Sequence, residues 1–297
     1  MSLQQTIEQI LTETSATFGV SIKHTLTKEE VNINENKPFQ MASVFKVPIL
    51  LTLYEKAFNG EIDLTERIEI TEEDQVPGSG VIQEMDPGIS LTIKDLATLM
   101  IIVSDNLATD KLYHMLGQEN IAKTLVNHGL DDIYIHQSTW DLLSYAVGLE
   151  PKPYSQAVLD KLNERLFSDQ EEYRDDVVFN EDVQNNMSTP KAMTQLYEML
   201  DDKQFVSEQC SEAVLDVLSR QQLAQRIPGR LPFGTKVAHK TGSIGSAIND
   251  AGIVYLPDNK GAYIISLFSV GNETSNEGVD IAAKISKAAY DYFLENN

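Results

Sequence analysis

The feature that most constrains the fold is the position of the strand-like segments, which lie at both ends of the chain with helix-like segments between them. Near the N-terminus, FGVSIKHTL and EEVNIN alternate apolar and polar residues as a pair of strands does. Near the C-terminus, KVAHKTG, NDAGIVYLP and GAYIISLFSVG show strand patterns, and the turn DNK joins the last two. These patterns predict one sheet assembled from the two ends of the chain.

Helical signals complete the prediction of the fold class. Apolar spacing and cap residues predict helices over Leu3 to Ala16, Ser43 to Phe58, Thr92 to Val103, Asn106 to Leu116 and Glu277 to Leu294. A further helix begins with Thr189 as N-cap and Pro190 at its first position. We therefore predict an α+β fold in which an antiparallel sheet is flanked by the N- and C-terminal helices. Residues 1–42 and 206–297 are expected to form this α/β lobe, and residues 43–205 an inserted all-helical lobe of the same unit.

Composition excludes several classes of protein and of partner. With 42% hydrophobic and 23% charged residues, the 297-residue chain is typical of globular proteins. No apolar run reaches the roughly 18 residues of a membrane span. The net charge of −22 disfavours nucleic acids and anionic membrane surfaces as partners. We expect a monomer, and the single Cys210 excludes an internal disulfide.

Neither the cysteine nor the N-terminus identifies a compartment. A lone cysteine is compatible with oxidising and reducing surroundings alike. The opening MSLQQTIEQILTE has no basic region followed by an apolar one, so no signal peptide is predicted in the sequence as printed. The compartment therefore stays open.

A serine and a lysine stand at the start of an apolar run in FQMASVFKVPIL. Ser43 and Lys46 are three positions apart, so in a helix they share one face, as a serine nucleophile and its proton acceptor must. The alternative is that Ser43 only caps the helix while Lys46 extends its amine to solvent. This motif alone leaves both interpretations open.

Two further motifs follow in order along the chain. SDN covers Ser104 to Asn106 at the junction of two predicted helices, and HKTGS places Lys240, Thr241 and Ser243 at the end of a predicted strand. Ser-x-x-Lys, Ser-Asp-Asn and Lys-Thr-Gly in this order resemble the class A β-lactamases and penicillin-binding proteins. LTIKDLATLMIIVSDNLATDKL and NMSTPKAM are also similar to segments of that family, so the resemblance covers nearly the whole chain. It implies a two-lobed β-lactamase-like fold.

The resemblance also implies a role for each motif residue. Ser43 would be the acylated nucleophile and Lys46 its proton acceptor, while Ser104 would pass a proton to the leaving nitrogen. Asn106 would contact the acyl side chain, and Asp105 would brace the turn.

The remaining implied roles concern anions. Lys240, Thr241 and Ser243 would bind the carboxylate shared by β-lactams and D-alanyl peptides. The backbone NH groups of Ser43 and Ser243 would form an oxyanion hole. Arg226 either completes the carboxylate site or is an ordinary solvated arginine. The family needs no cofactor, and the five histidines and Cys210 show no zinc-ligand spacing.

The segment before Pro190 departs from the family pattern. A β-lactamase of this class needs a loop glutamate to activate the deacylating water. Glu181 has the partner asparagine Asn185 but lies too close to Pro190, whereas Glu172 lies at nearly the right distance without that partner. Asn186 also replaces an aspartate that anchors the loop in the family, so we expect a different loop conformation.

Three functions therefore remain as hypotheses. The first is hydrolysis of β-lactams through an acyl-enzyme on Ser43. The second is a penicillin-binding or D-alanyl-peptidase-like protein, or an esterase, that deacylates slowly. The third is a non-catalytic binding protein, although the retained Ser43, Lys46, Ser104 and Lys240 argue against it.

Overall fold

The computed structural model describes residues 1–168, 179 and 185–296. Glu172 and Glu181 lie outside this range. The chain divides into two compact units. The α/β unit comprises Met1–Val44, Gly129–Ile133 and Met187–Asn297, and the helical unit comprises Phe45–His128 and Tyr134–Asn186. Among the described helices, none combines the length and the apolar character that a membrane crossing requires.

Strands and helices follow one another as the sequence patterns indicate. The strands are β1 (Thr17–His24), β2 (Glu30–Ile33), β3 (Phe39–Gln40), β4 (Arg67–Glu69), β5 (Ser90–Thr92), β6 (Ile133–Tyr134), β7 (Met187–Ser188), β8 (Val237–Ile244), β9 (Ala247–Tyr255) and β10 (Ala262–Val270). The described α-helices are α1 (Leu3–Leu11), α2 (Lys46–Phe58), α3 (Ile93–Ile102), α4 (Asn106–Leu116), α5 (Gln118–Asn127), α6 (Thr139–Ala146), α7 (Gln156–Leu166), α8 (Pro190–Asp201), α9 (Glu208–Leu218) and α10 (Ser275–Asn296).

The α/β unit is built on a five-stranded antiparallel sheet in the order β2-β1-β10-β9-β8. Thr17 at the start of β1 pairs with Val270 at the end of β10, so the two ends of the chain meet in the middle of the sheet. The prediction of an antiparallel sheet assembled from both termini is therefore confirmed.

Helices cover both faces of this sheet. On one face, alternate residues of β1 and β10, including Ile22 and Ile265, pack in a single apolar core with Ile7 of α1 and Phe293 of α10. Burial of this apolar surface is the main contribution to stability here. On the other face, the hydroxyl of Thr194 in α8 donates to Ser266 at 2.9 Å. The strands β1, β8, β9 and β10 therefore have both faces buried over most of their length, whereas the edge strand β2 is partly exposed.

The helical unit is organised around α2. Every residue from Lys46 to Tyr54 is buried, and the helix contacts α3, α4 and α5 of the same unit. A helix that is apolar on all sides is typical of the centre of a bundle. The short strands β4 and β5 pair with each other, and the chain between them contains the 77–81 segment described below.

Most predicted boundaries agree with the structure. Thr189 caps α8 with Pro190 at the first position, and Thr92 caps α3. The N-terminal helix ends at Leu11 rather than near Ala16, because the chain turns there to enter β1. Residues 187–205 were predicted in the helical lobe, but they belong to the α/β unit because α8 packs on β1, β9 and β10.

Candidate active site

Ser43 lies in a tight turn directly before α2. The predicted helix from Ser43 to Phe58 consists of a 3-10 turn over Ala42–Phe45, followed by an α-helix that begins at Lys46. Phe45 is the N-cap residue of α2 and has no side-chain cap, so the interpretation of Ser43 as a simple helix cap is wrong. Ala42 has φ of 46°, a left-handed conformation that is uncommon for alanine. This conformation turns the chain from β3 into the 3-10 turn.

The strand β8 approaches this turn at Gly242. A Cβ atom at Gly242 would lie 2.5 Å from the carbonyl oxygen of Met41 and 2.9 Å from the backbone nitrogen of Ser43. Both neighbours are backbone atoms, which cannot rotate away as a side chain does. Only glycine therefore allows β8 to lie this close to the serine turn.

Asn249 on the neighbouring strand fixes the chain that leads into the turn. Its side-chain amide donates to the carbonyl of Gln40 at 2.8 Å, and its side-chain oxygen accepts from the backbone NH of Ser269 at 2.9 Å. Gln40 in turn accepts a hydrogen bond from the backbone NH of Ala42 through its side-chain oxygen. Because Asn249 is completely buried, these bonds have no competition from solvent.

Arg226 is bound to the end of β8. Its guanidinium donates to the carbonyl of Gly242 at 2.7 Å, and it also donates to the carbonyl of Asn249 and the hydroxyl of Ser243. Burial lowers the pKa of Arg226, and the carboxylate of Asp250 opposes part of this shift. An arginine stays protonated in such surroundings. The interpretation of Arg226 as an ordinary solvated arginine is therefore wrong.

The residues of the third motif share β8 with Gly242. Lys240 is fully buried and its amine donates to the carbonyl of Thr241 at 2.7 Å. Thr241 is also buried, whereas Ser243 is exposed. The α/β unit thus brings Ser43 and Arg226 to the end of the strand that carries Lys240, Thr241 and Ser243.

The helical unit holds a second cluster around the amine of Lys46. Its Nζ atom donates to the carbonyl oxygen of Ser104 at 2.7 Å, to the side-chain oxygen of Asn106 at 2.8 Å and to the hydroxyl of Ser104 at 3.1 Å. Lys46 is completely buried, so its amine does not extend to solvent as the alternative interpretation requires. The structure therefore brings the first and second motifs together through Lys46.

Burial changes the protonation of this amine. Removal from water lowers the pKa of Lys46 from 10.5 to about 7, while the negative charges of Asp105 and Asp110 oppose the shift. Near neutral pH a large fraction of Lys46 is therefore an uncharged amine. Only that form has a lone pair that accepts a proton.

The second motif forms a rigid turn between α3 and α4. Ser104 has φ of 57°, and the Asp105 carboxylate accepts from the backbone NH of Ala108 at 2.9 Å, which caps α4. Its other oxygen accepts from the backbone NH groups of Val81 and Ile82. Asp105 thus braces the turn and binds the 77–81 segment to it.

The 77–81 segment was not singled out by its sequence. The side-chain amide of Asn106 donates to the carbonyl of Pro77 at 2.7 Å, and its backbone NH donates to the carbonyl of Ser79 at 2.9 Å. The hydroxyl of Ser79 donates to the carbonyl of Ser104 at 2.7 Å. The glycines in PGSG are typical of an irregular turn, and nothing in this pattern shows that the turn contacts the acceptors of the Lys46 amine.

The chain between Gln137 and Asn186, called the long loop below, includes α6, α7 and residues outside the described range, and Asn186 joins its two ends. Its side-chain oxygen accepts from the backbone NH groups of His136 and Gln137, and its amide nitrogen donates to the carbonyl of Gln137 at 3.0 Å. The buried Asp110 carboxylate accepts from the backbone NH groups of Thr139 and Trp140. Burial raises the pKa of Asp110 in spite of these bonds. The loop therefore begins and ends at a fixed base without an aspartate at position 186.

The family model described as "Beta-lactamase enzyme family" matches residues 2–293. The chain belongs to this β-lactamase family. The prediction made from the three motifs is thus confirmed at the level of the family. The β-lactamase VEB-1 of Pseudomonas aeruginosa is 28% identical over 300 residues, which cover 97% of this chain and 89% of the relative.

Solved structures show that the β-lactamase fold is shared along nearly the whole chain. A β-lactamase from Sphaerobacter thermophilus matches with a TM-score of 0.79 and 24% identity, over 98% of this chain and 96% of that one. The structure of PBP-A matches with a TM-score of 0.79 and 22% identity, over 99% and 96% of the two chains. The predicted α+β fold class is confirmed by this likeness.

Proposed function

We propose that this protein is a serine β-lactamase that acylates Ser43 and then hydrolyses the acyl-enzyme. In the first step the Ser43 oxygen bonds to the lactam carbonyl carbon while Lys46 takes the hydroxyl proton. The ring C–N bond then breaks, and Ser104 passes its proton to the leaving nitrogen while the protonated Lys46, 3.1 Å from the Ser104 hydroxyl, replaces it and becomes neutral again. Water cleaves the resulting ester in the second step and restores Ser43. The observation that carries the proposal is the buried Lys46 amine, whose pKa of about 7 fits a proton acceptor at neutral pH.

The anionic substrate would be bound by the strand end that carries Lys240. The charges of Lys240 and Arg226 and the hydroxyls of Thr241 and Ser243 are the donors that a carboxylate needs. Close packing of Gly242 on the serine turn supports a further role for backbone NH groups of Ser43 and Ser243 as an oxyanion hole. Asn106 is proposed to contact the acyl side chain.

A second candidate function is a penicillin-binding protein that deacylates slowly. Among the described residues, the three acceptors of the Lys46 amine are two oxygens of Ser104 and one of Asn106, and none is a carboxylate. Asp141, the first carboxylate after the loop base, belongs to the capping box of α6. Deacylation therefore depends on a carboxylate such as Glu172 or Glu181, outside the described residues.

Intact-protein mass spectrometry with benzylpenicillin separates these candidates. Wild type and S43A are mixed with the antibiotic and sampled from seconds to hours, while the solution is monitored for penicilloate. A Ser43-dependent adduct that disappears as penicilloate accumulates is the result expected of the β-lactamase. An adduct that persists for hours would instead support the penicillin-binding protein.

Variants of the two glutamates then identify the deacylating base. If E172Q or E181Q converts a transient adduct into a persistent one, that glutamate activates the water. Failure of wild type to form any adduct, together with no Ser43-dependent esterase activity, would contradict both candidates and leave the non-catalytic binding protein.

A further inference from the structure

Ser79 contacts the same two oxygens that bind the amine of Lys46. Its hydroxyl lies 2.7 Å from the carbonyl oxygen of Ser104 and 3.2 Å from the side-chain oxygen of Asn106. The amine of Lys46 lies 2.7 Å and 2.8 Å from these same oxygens. Both oxygens belong to buried residues, so a neighbouring protein donor is favoured over solvent to replace a hydrogen bond that Lys46 withdraws.

Counting donors shows when such a replacement is needed. A protonated Lys46 has three N–H donors for its three acceptors, so every oxygen around it is satisfied. A neutral amine has two N–H donors and one lone pair. If the lone pair is to receive a proton from a nucleophile, the two remaining donors must serve three acceptors. One buried oxygen would then lose the hydrogen bond that Lys46 donates, and loss of such a bond in a buried place costs free energy.

The hydroxyl of Ser79 supplies the missing donor. It has one proton and lies within hydrogen-bond reach of two of the three acceptors, the carbonyl oxygen of Ser104 and the side-chain oxygen of Asn106, so it donates to either of these when the amine releases it. Its dipole also places positive charge beside the two oxygens, which reduces their preference for an ammonium group. Both effects favour the neutral amine. The charged side chains acting on Lys46 within the described residues are Asp105 and Asp110, both in or next to α4, and the 77–81 segment adds none.

We propose that Ser79 is a positioning residue that keeps the lone pair of Lys46 available for the proton of the nucleophile. The proposal rests on the proposed function, because it concerns the proton acceptor of the same reaction. Ser79 itself is exposed at the surface, with its hydroxyl directed at the two buried oxygens. Substitution of an exposed serine is therefore expected to leave the fold intact.

The test compares wild type, S79A and S79T across pH. Second-order acylation by benzylpenicillin is measured by rapid quenching and mass spectrometry between pH 5.5 and 9.5. In S79A, loss of one hydrogen bond is expected to shift the acidic limb of the pH–rate profile to higher pH by about 0.5 to 1 pH unit. The rate at pH 6 then falls roughly three- to tenfold, while the rate at pH 9 stays within about 1.2-fold of wild type. S79T retains the hydroxyl and is expected to restore the wild-type profile.

S219A is a matched control, because the hydroxyl of Ser219 also donates to a backbone carbonyl, that of Asp216, but in the α/β unit. It is expected to leave the pH profile unchanged. An S79A rate that is lowered equally at pH 6 and pH 9 would mean that Ser79 only supports the structure. An unchanged S79A profile would overturn the proposal as well.

Direct titration of Lys46 makes the result independent of catalysis. The Cε signal of Lys46 is followed by NMR in protein labelled with carbon-13 lysine, and it is assigned by its absence in K46R. The midpoint pH of the Lys46 titration is expected to be higher in S79A than in wild type by about 0.5 to 1 pH unit. Equal midpoints would contradict the role of Ser79. Absence of acylation in wild type would contradict only the proposed function, since the titration does not need a substrate.

Discussion

At the scale of single residues, the motif regions have two uncommon backbone conformations and one buried amine. Ala42 and Ser104 both have positive φ values, and each stands at the turn that presents a motif residue. Such conformations cost free energy that the surrounding packing must offset. The bonds of Gln40 to Ala42 and of Asp105 to three backbone NH groups supply part of that support. Strain and support therefore occur together at both turns.

The pKa of Lys46 predicts the pH dependence of acylation. Its folded-state pKa of about 7 lies below the ordinary value of 10.5, so the neutral amine is lost as pH falls through 7. The acylation rate of wild type should rise about tenfold per pH unit below roughly pH 6 and become constant above roughly pH 8. Stopped-flow measurements with a chromogenic cephalosporin check this profile. A rate that stays constant from pH 5 to pH 9 would show that Lys46 does not accept the proton.

The close packing of Gly242 predicts that a methyl group added at this position slows acylation of Ser43. In G242A the new Cβ atom would overlap the backbone of Met41 and Ser43, so the serine turn or β8 must move. We expect acylation of Ser43 to slow by at least about 100-fold, since displacement of a nucleophile by 1 Å has effects of this size. Quenched-reaction mass spectrometry measures the rate.

G261A is the matched control for this variant. Gly261 has φ of 79°, and its added Cβ atom would approach the Leu26 side chain within 2.6 Å, at the opposite end of β9 from Asn249, the partner of Gly242. It is expected to lower thermal stability while leaving acylation by the folded protein unchanged. If both variants acylate at the wild-type rate, Gly242 does not position Ser43.

At the scale of elements, the base of the long loop depends on an amide rather than on a charge. Asn186 uses its oxygen for two backbone NH groups and its nitrogen for a backbone carbonyl. Because the family has an aspartate at this position, the sequence predicts a different loop conformation. Much of that loop lies outside the described residues, and the structure gives its base, where Asn186 forms an amide anchor. An amide satisfies donors and acceptors together, whereas a carboxylate only accepts.

Replacing Asn186 with the family's aspartate is therefore expected to lower the stability of the folded protein. In N186D the carboxylate would face the carbonyl oxygen of Gln137, at a position that is completely buried. The free energy of unfolding should fall by about 1 to 3 kcal/mol, the usual cost of an unsatisfied buried polar group. Urea denaturation measures this change, with N127D at an exposed asparagine as control. An N186D protein more stable than wild type would contradict the amide anchor.

The ends of helices could be predicted where a local sequence signal marks them. They could not be predicted where tertiary contacts determine the backbone conformation. Thr189 and Pro190 mark the start of α8 through cap chemistry that involves only neighbouring residues. The 3-10 turn at Ala42–Phe45 has no such signal, because its conformation depends on contacts with Gln40 and Gly242. For the same reason the motifs indicated Lys46 and Ser104, but the part of Ser79 could not be read from the sequence.

At the scale of the whole molecule, the negative net charge affects how charged substrates approach the protein. The net charge of −22 repels anionic substrates at long range, although Lys240 and Arg226 would attract them at short range. Salt screens the long-range repulsion, because the Debye length falls from about 30 Å at 0.01 M to about 8 Å at 0.15 M ionic strength. The repulsion is therefore expected to limit the encounter rate mainly in dilute buffer.

This repulsion predicts an unusual salt dependence. The second-order rate of acylation by benzylpenicillin, an anion, should increase severalfold, approximately, when the ionic strength is raised from 0.01 to 0.15 M. A zwitterionic cephalosporin, which has no net charge, is the control and should respond much less. Steady-state measurements of kcat/KM for both compounds check the expectation. Equal responses would mean that net charge has no part in substrate encounter.

Because β1 pairs with β10, β1 lacks this partner strand during synthesis on the ribosome until β10 has been translated. Residues 17–24 are translated long before their partner strand at residues 262–270. At roughly 5 to 20 residues per second, the apolar face of β1 waits on the order of 12 to 50 s for that strand. During this interval the nascent chain exposes an unpaired β1–β2 hairpin, which is the kind of surface that chaperones bind and that aggregates when they are scarce.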